Sequence, residues 1–555
     1  MAKSSDQRLQ LEAELTSSVV DLGALNASLS DASEFASEPA VEVPKKKPKK
    51  PHGPVERVKS NSKKKRKRQR PPSVYDLVDR AVYLPVTYDM ADRIPIDTEG
   101  PGRPRLHPVF LNLLYLAAVP DERSYWKTDS AFDNEFMWRR TRRLILEAWQ
   151  FDGAYDIGAT PIAYSHACRF FDRHVVGKRE VIAGLYDSYV RFSVELAQRM
   201  GIMDASQGSY TQPHPSRVFI GDGTVVAPLF KSMPGDTWYD PTTGETGIIR
   251  HDPSAAWHTT GTKEVVRGSL WANCQIRSEH ENERVNLGFA LVPQGRGDAS
   301  VFMDLVEAVA PNFPMALGHV YDMAMDGDTI NRGYRLGLVP FTKVSLDNNG
   351  MPASSFVCTM TAVDNTGRPR DLALWAYNGA YGIEVVTPTT TLFVRLDLVQ
   401  VKFSSNHDGT QRAYVRLKFP DTPPIPESLR GATVMPRLDQ NDDDLKRSIK
   451  GRPYNRAIYV RPFPEGSEGF IEVYGVREDA ESFNNLLKQS LWNKRSHSLT
   501  TDRQFLDMLA FNLNRNIRAL MAHEARTGVN LFPEMEHGRP SLAEVTANLS
   551  RALAI

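Results

Sequence analysis

Between Tyr474 and Lys488 the chain reads Tyr-Gly-Val-Arg-Glu-Asp-Ala-Glu-Ser-Phe-Asn-Asn-Leu-Leu-Lys. A helix turning about 100° per residue brings Tyr474, Arg477, Glu481 and Lys488 into one narrow arc, because offsets of 0, 3, 7 and 14 residues nearly close on whole turns. Phe483, Leu486, Leu487 and Leu491 fall on the opposite side, so the helix packs by its apolar face and presents an aromatic, a carboxylate and two cations together. Two acids elsewhere complete a pattern. Asp222 ends the apolar run Val218-Phe219-Ile220 between Gly221 and Gly223, and Asp322 ends the run Met315 to Tyr321. A carboxylate at the tip of a buried strand is costly unless it is hydrogen-bonded or holds a cation, so two such tips with Glu481 point to a shared cation site.

The spacing Tyr-x2-Arg-x3-Glu-x6-Lys resembles the C-terminal motif of the DDE transposases of bacterial insertion sequences, with the likeness running from residue 215 to 520. The resemblance implies a ribonuclease H-like core whose first and fourth strands lie side by side and bring Asp222 to Asp322. It implies that Asp222, Asp322 and Glu481 are catalytic and hold two magnesium ions, with manganese as a substitute. Arg477 and Lys488 would clamp DNA phosphates, and Tyr474 would hydrogen-bond one near the cut. In the resembled group an aromatic of the insertion holds a flipped base, which makes Trp375 a candidate beside its plainer reading as a core tryptophan. The implied partners are transposon ends, target DNA and a second copy in a dimer.

Each acid also has a plainer reading. Arg477 and Glu481 make an ordinary i,i+4 helix pair, and Asp222 can open a Gly-Asp-Gly turn. Asp326 and Asp328 compete with Asp322 from a Gly-containing turn. Glu478 and Asp479 suit a helix start, and His258 and His319 read as structural or peripheral.

The 555 residues are too many for one core. Residues 1–72 read as a disordered tail: eight acids against Lys3 and Arg8 give 1–44 a net of −6, while fourteen Lys and Arg against Glu56 give 45–70 a net of +13. Its basic clusters suit phosphate backbone or a nuclear address. Residues 73–205 show helical periodicity, with Arg139, Arg140, Arg142 and Arg143 clustered as a DNA grip or a solvated face. Strand patterns follow over 206–345, first part of the core, with strands at Val218 to Asp222, Val265 to Ile276, Val285 to Val292, Met315 to Asp322 and Leu336 to Val344, and a helix at Ala299 to Val309. Residues 346–450 read as a β-rich insertion, its exit from Pro420 onward a loop. The second part of the core, 451–530, reads as strands at Ala457 to Arg461 and Gly469 to Tyr474, the motif helix, and a helix capped by Thr501 or Asp502. A tail, 531–555, carries a Ser541/Glu544 capping box.

Cys168, Cys274 and Cys358 form no disulfide or zinc pattern, and no apolar stretch reaches the 18 to 20 residues or so of a membrane span. The expected location is cytoplasmic, at the nucleoid in a bacterium or in the nucleus of a eukaryote, without a membrane partner. The expected fold is α/β: a ribonuclease H-like core with a β-rich insertion before the glutamate, a helical N-terminal domain and a disordered tail. The expected function is metal-dependent cleavage at transposon ends followed by strand transfer. The alternatives are a nuclease of the same core and a domesticated, non-catalytic DNA-binding protein.

Overall fold

The computed structural model describes residues 72–95, 109–148, 160–204, 206–259, 264–346, 351, 353–388, 390–449 and 451–533. The acidic-then-basic stretch 1–71 and the Ser541/Glu544 pair lie outside the described residues.

Seven helices open the described chain: α1 (Val74–Val82), α2 (Pro85–Asp92), α3 (Val109–Glu122), α4 (Tyr125–Phe132), α5 (Glu135–Ala148), α6 (Tyr164–His174) and α7 (Arg179–Arg199). Ser73 and Asp76 cap α1 reciprocally, each accepting a hydrogen bond from the other's backbone N–H. In the arginine cluster Arg139 pairs with Glu135 on an exposed face and Arg140 with Asp79 of α1.

A mixed sheet follows. Its strands are β1 (Val218–Val226), the short β2 (Thr237–Tyr239), β3 (Thr246–Ile248) and β4 (Ala256–Thr259), then β5 (Val265–Arg277), β6 (Arg284–Leu291), β7 (Gly318–Val320) and β8 (Val339–Phe341). Helix α8 (Asp298–Val309) joins β6 to β7, and α9 (Gly327–Arg335) joins β7 to β8. The lateral order is β6-β5-β1-β7-β8, with β4 sharing the outer edge of β5 and β2 pairing only with β3. β1 is the turning point, antiparallel to β5 on one side and parallel to β7 on the other.

The Gly-Asp-Gly segment is not a turn: it lies within β1, which runs four residues past Asp222. Its glycines are needed for close approach of α8. A β-carbon at Gly221 would meet the Phe302 ring at 2.1 Å, and one at Gly223 would meet Asp298 Oδ2 at 2.1 Å. The fourth strand is only Gly318–Val320, so Asp322 stands in the segment beyond it.

The insertion is β-rich. One sheet orders β9 (Ser354–Val363), β10 (Pro369–Tyr377), β11 (Ala380–Val386) and β12 (Thr391–Arg395) as 12-11-10-9, and a second joins β13 (Asp397–Ser405), β14 (Gln411–Lys418) and β15 (Thr433–Val434). The exit from Pro420 is not all loop; it holds β15 and a helical turn at Asp442–Leu445. The buried Arg456–Asp444 pair, at 2.7 Å, fastens that turn to the returning chain.

Two expected strands are helical. Residues 456–458 form a 3-10 turn, and Glu468–Tyr474 is helix α10. The expected single motif helix is also divided, since Tyr474 ends α10 and Arg477 opens α11 (Arg477–Ser490). Thr500, without a side-chain cap, precedes α12 (Thr501–Thr527), while Asp502 accepts a hydrogen bond from Gly177 N–H.

Helix α12 welds the helical region to the sheet. Asn516 Oδ1 accepts from Asn286 N at 2.8 Å and its Nδ2 donates to Asn286 O at 2.8 Å, satisfying the buried backbone of edge strand β6. Arg80 of α1 meets Glu524 at 2.6 Å. Against the expectation from length that more than one core is needed, one apolar cluster is continuous through the helices, the sheet and the insertion. Among the described residues no helix is long and apolar enough to cross a membrane.

Candidate active site

Parallel pairing sets the level of the two aspartates. Val218 lies beside Gly318, Phe219 beside His319 and Ile220 beside Val320, and Val320 in turn beside Phe341. Continued by two residues, that register sets Asp222, Asp322 and Lys343 abreast, beyond the carboxyl ends of β7 and β8. This is the side of a parallel sheet where ligands bind in open α/β folds.

Asp222 projects from β1 on the face opposite the one its flanking glycines offer to α8. Its Oδ1 accepts from Gly223 N at 2.9 Å, and its Oδ2 accepts from Asn484 Nδ2 of α11 at 2.9 Å. Asn484 is buried and is itself oriented, its Oδ1 accepting from Asn273 Nδ2 at 3.1 Å. Asn273 faces Asp222 across the β1–β5 ladder and donates to Asp222 O at 3.0 Å. Burial pushes the Asp222 carboxyl up to about 6; Arg477 opposes that shift and Asp322 adds to it. Asp322 is raised as well, by burial and then by Asp298, although its Oδ1 accepts from Ala324 N at 2.8 Å.

Arg477 lies within the field of both aspartates. Burial works against its charge, but Tyr474, Glu481, Asp222 and Asp322 hold the guanidinium above its usual value. Its Nη1 donates to Glu481 Oε1 at 2.5 Å, and the Glu481 side chain is about half exposed. Helix α11 is fixed against the sheet by Asp479, which is buried between Arg277 and Arg284, each at 2.6 Å. Its apolar face packs as the periodicity implies, with Phe483 edge-on to Phe511 of α12 at 5.0 Å. Lys488 is half-buried in the last turn.

The structure therefore brings Asp222, Asp322, Arg477 and Tyr474 together and joins Glu481 to them through Arg477. Among the described residues no group of three or more His, Cys, Asp or Glu side chains stands close enough to hold a metal ion. The donors fit magnesium in kind, being hard carboxylate oxygens on a partly buried pair whose burial is only partly offset. In number the aspartates are two, the third carboxylate, Glu481, being held by Arg477. The chain matches no protein-family model, and no curated protein is significantly similar to it in sequence.

The other candidates have local explanations. Asp326 caps α9, accepting from Thr329 N at 2.8 Å, and Asp328 accepts from Asn455 Nδ2 at 3.1 Å. His258 contacts Gly268 O at 3.0 Å, and His319, within β7, is fully buried with its imidazole held neutral by burial. Trp375 sits in β10, edge-on to Phe356 at 5.7 Å, as part of the insertion's packing.

Three further residues belong to this site. Asp298 at the start of α8 lies against Gly223 and acts on Asp322. Lys343 reaches Tyr474, and Asn484 holds Asp222. Asn484 had a legible signal, an amide one turn from Glu481 on the buried flank of an amphipathic helix, which requires a partner. Asn484→Ala removes the donor to Asp222 Oδ2 and is expected to weaken Mn2+ binding about tenfold or more, the usual effect of losing a group that orients a ligand. Titration calorimetry checks it, and unchanged affinity would show that Asp222 needs no such support.

Proposed function

We propose that the protein is a metal-dependent DNA transposase with a ribonuclease H-like core. The observation that carries the reading is the closeness of Asp222, within β1, to Asp322, two residues beyond its parallel neighbour β7, with the Arg477–Glu481 helix beside both. The lateral order of the five main strands, third-second-first-fourth-fifth with the first three antiparallel and the last two parallel, supports that core. The motif spacing supports the reaction class.

Magnesium held by Asp222, Asp322 and Glu481 would supply an activated water or 3′ hydroxyl on one side of a phosphodiester and neutralise charge on the leaving oxygen on the other. The protein's own groups prepare that site. Asn484 and Gly223 N–H fix the Asp222 rotamer, and Ala324 N–H fixes that of Asp322. Arg477 keeps the acids neutralised until substrate arrives, then offers its guanidinium to a phosphate while Glu481 turns to the aspartates. Tyr474, stacked on Phe470 at 4.5 Å, presents a neutral phenol as a hydrogen-bond donor, since burial raises it above its ordinary range.

The test first seeks inverted repeats flanking the gene and supplies them as pre-cut ends, with target plasmid and Mg2+ or Mn2+. Joined products are expected from wild type and none from Glu481→Gln, which should keep its affinity for DNA. Cleavage without joining would favour a nuclease, and an inert wild type under both ions would favour a non-catalytic DNA-binding protein.

A further inference from the structure

We propose that Lys343 and Tyr474 form a subsite for a nucleic-acid phosphodiester, and that Glu465 occupies it in the free protein as a stand-in for the phosphate. The inference rests on the reading of this site as one that acts on DNA. No residue of the sequence motif brings Lys343 into it.

Lys343 stands two residues beyond β8, level with Asp322 in the register that runs from Ile220 through Val320 to Phe341. Strands in a sheet lie about 4.8 Å apart, so a cation here borders the aspartate pair within the reach of one nucleotide. Its ammonium lies over the Tyr474 ring, 5.9 Å from the centroid. The same Tyr474 feels Arg477 and Asp322, so cation, phenol and Asp322 face one volume.

The anion now in that volume is Glu465. Its Oε1 accepts from Lys343 Nζ at 2.5 Å, and it acts on the Tyr474 phenol too. The side chains of Lys343 and Glu465 are 36% and 41% exposed, so water and an incoming phosphate reach both. A pair this exposed contributes little to folding and is readily exchanged for another anion. A carboxylate and a phosphodiester offer an ammonium the same ligand, oxygen atoms sharing negative charge, and lysine serves either as a point charge. Glu465 follows Pro464 on the short link into α10, the helix that ends in Tyr474, so displacing it needs no change in the sheet.

Binding of a fluorescent random-sequence duplex to the full chain, measured by anisotropy across a salt series, separates the outcomes. Lys343→Ala is expected to weaken binding about five- to tenfold at low salt and to lower the slope of log affinity against log salt by about one. Lys343→Arg should restore both. Glu465→Gln is expected to tighten binding about threefold or more, and to have no effect in the Lys343→Ala background, because it acts only through that lysine. Thermal melts should match wild type in all four variants. Unchanged affinity and slope in Lys343→Ala, or an equal gain from Glu465→Gln with and without Lys343, overturns the subsite while leaving the transposase reading intact. A wild type that does not bind DNA overturns both.

Discussion

Asp222→Asn is expected to abolish divalent-dependent DNA cleavage and joining, and at the same time to raise the melting temperature of the metal-free protein. The two effects share one cause. Burial lifts the Asp222 carboxyl to about 6, against about 3.9 in an unfolded chain. Below pH 4 or so the group is protonated in both states and has no effect on stability. As pH rises from there to about 6 the unfolded chain releases its proton first, so folding becomes steadily less favourable, and the full penalty persists at neutral pH. A shift of this size corresponds to up to about 3 kcal/mol, reduced by partial exposure and by the amide's imperfect fit against Asn484 to about 1–2 kcal/mol. Asparagine removes the charge and recovers that amount in the metal-free state. It cannot supply the charged oxygen that a divalent ion needs, so Mn2+ stabilisation should vanish with it. In wild type, Mn2+ affinity should fall as pH drops through about 6, because protons and metal compete for the same carboxylate. Scanning calorimetry with and without Mn2+ reads both signs. A less stable Asp222→Asn protein that still gains stability from Mn2+ would contradict the assignment.

Gly221→Ala should be among the more damaging methyls that can be added to the sheet. The new β-carbon would lie 2.1 to 2.7 Å from three atoms of the Phe302 ring, and neither side has room to yield. Phe302 is fully buried and stacked on Tyr321 at 4.9 Å, while the Gly221 backbone is held by the β1–β5 ladder opposite Cys274. Overpacking of this kind costs about 3 kcal/mol or more, which for a chain this long, with its large unfolding entropy, is a fall of roughly 3–4 °C in melting temperature. Gly475→Ala is the control. Its β-carbon would meet only Ile471 O at 3.5 Å, and the backbone there is already right-handed, so a neutral or slightly stabilising result is expected. Equal melting of the two variants would mean that α8 does not pack on β1 as described.

How much of this was legible depended on whether the determining interaction was local. Asp222 and Asp322 could be found because each closes an apolar run, a pattern carried by consecutive residues. Their common level is carried by neither run and was expected only from the family resemblance, since it comes from the register between strands a hundred residues apart. The division of the motif helix was hidden because Gly475 and Val476 keep near-helical dihedrals, so the angular pattern survives the break. Gly469 to Tyr474 alternates well enough to read as a strand, and packing of Phe470 on Tyr474 and Val473 into the core decides for a helix. Asp479 reads as a residue suited to a helix start, but its partners Arg277 and Arg284 lie some two hundred positions earlier. The pairing of Arg477 with Glu481 has the geometry of the plain i,i+4 reading, and it is set beside two acids that an ordinary pair does not require.

Anomalous diffraction from crystals soaked in Mn2+ would report the ligands directly. The expected map has manganese between the carboxylates of Asp222 and Asp322, with Glu481 turned away from Arg477 onto it; saturating Mn2+ with no density there, and Glu481 still on Arg477, would contradict a shared metal site.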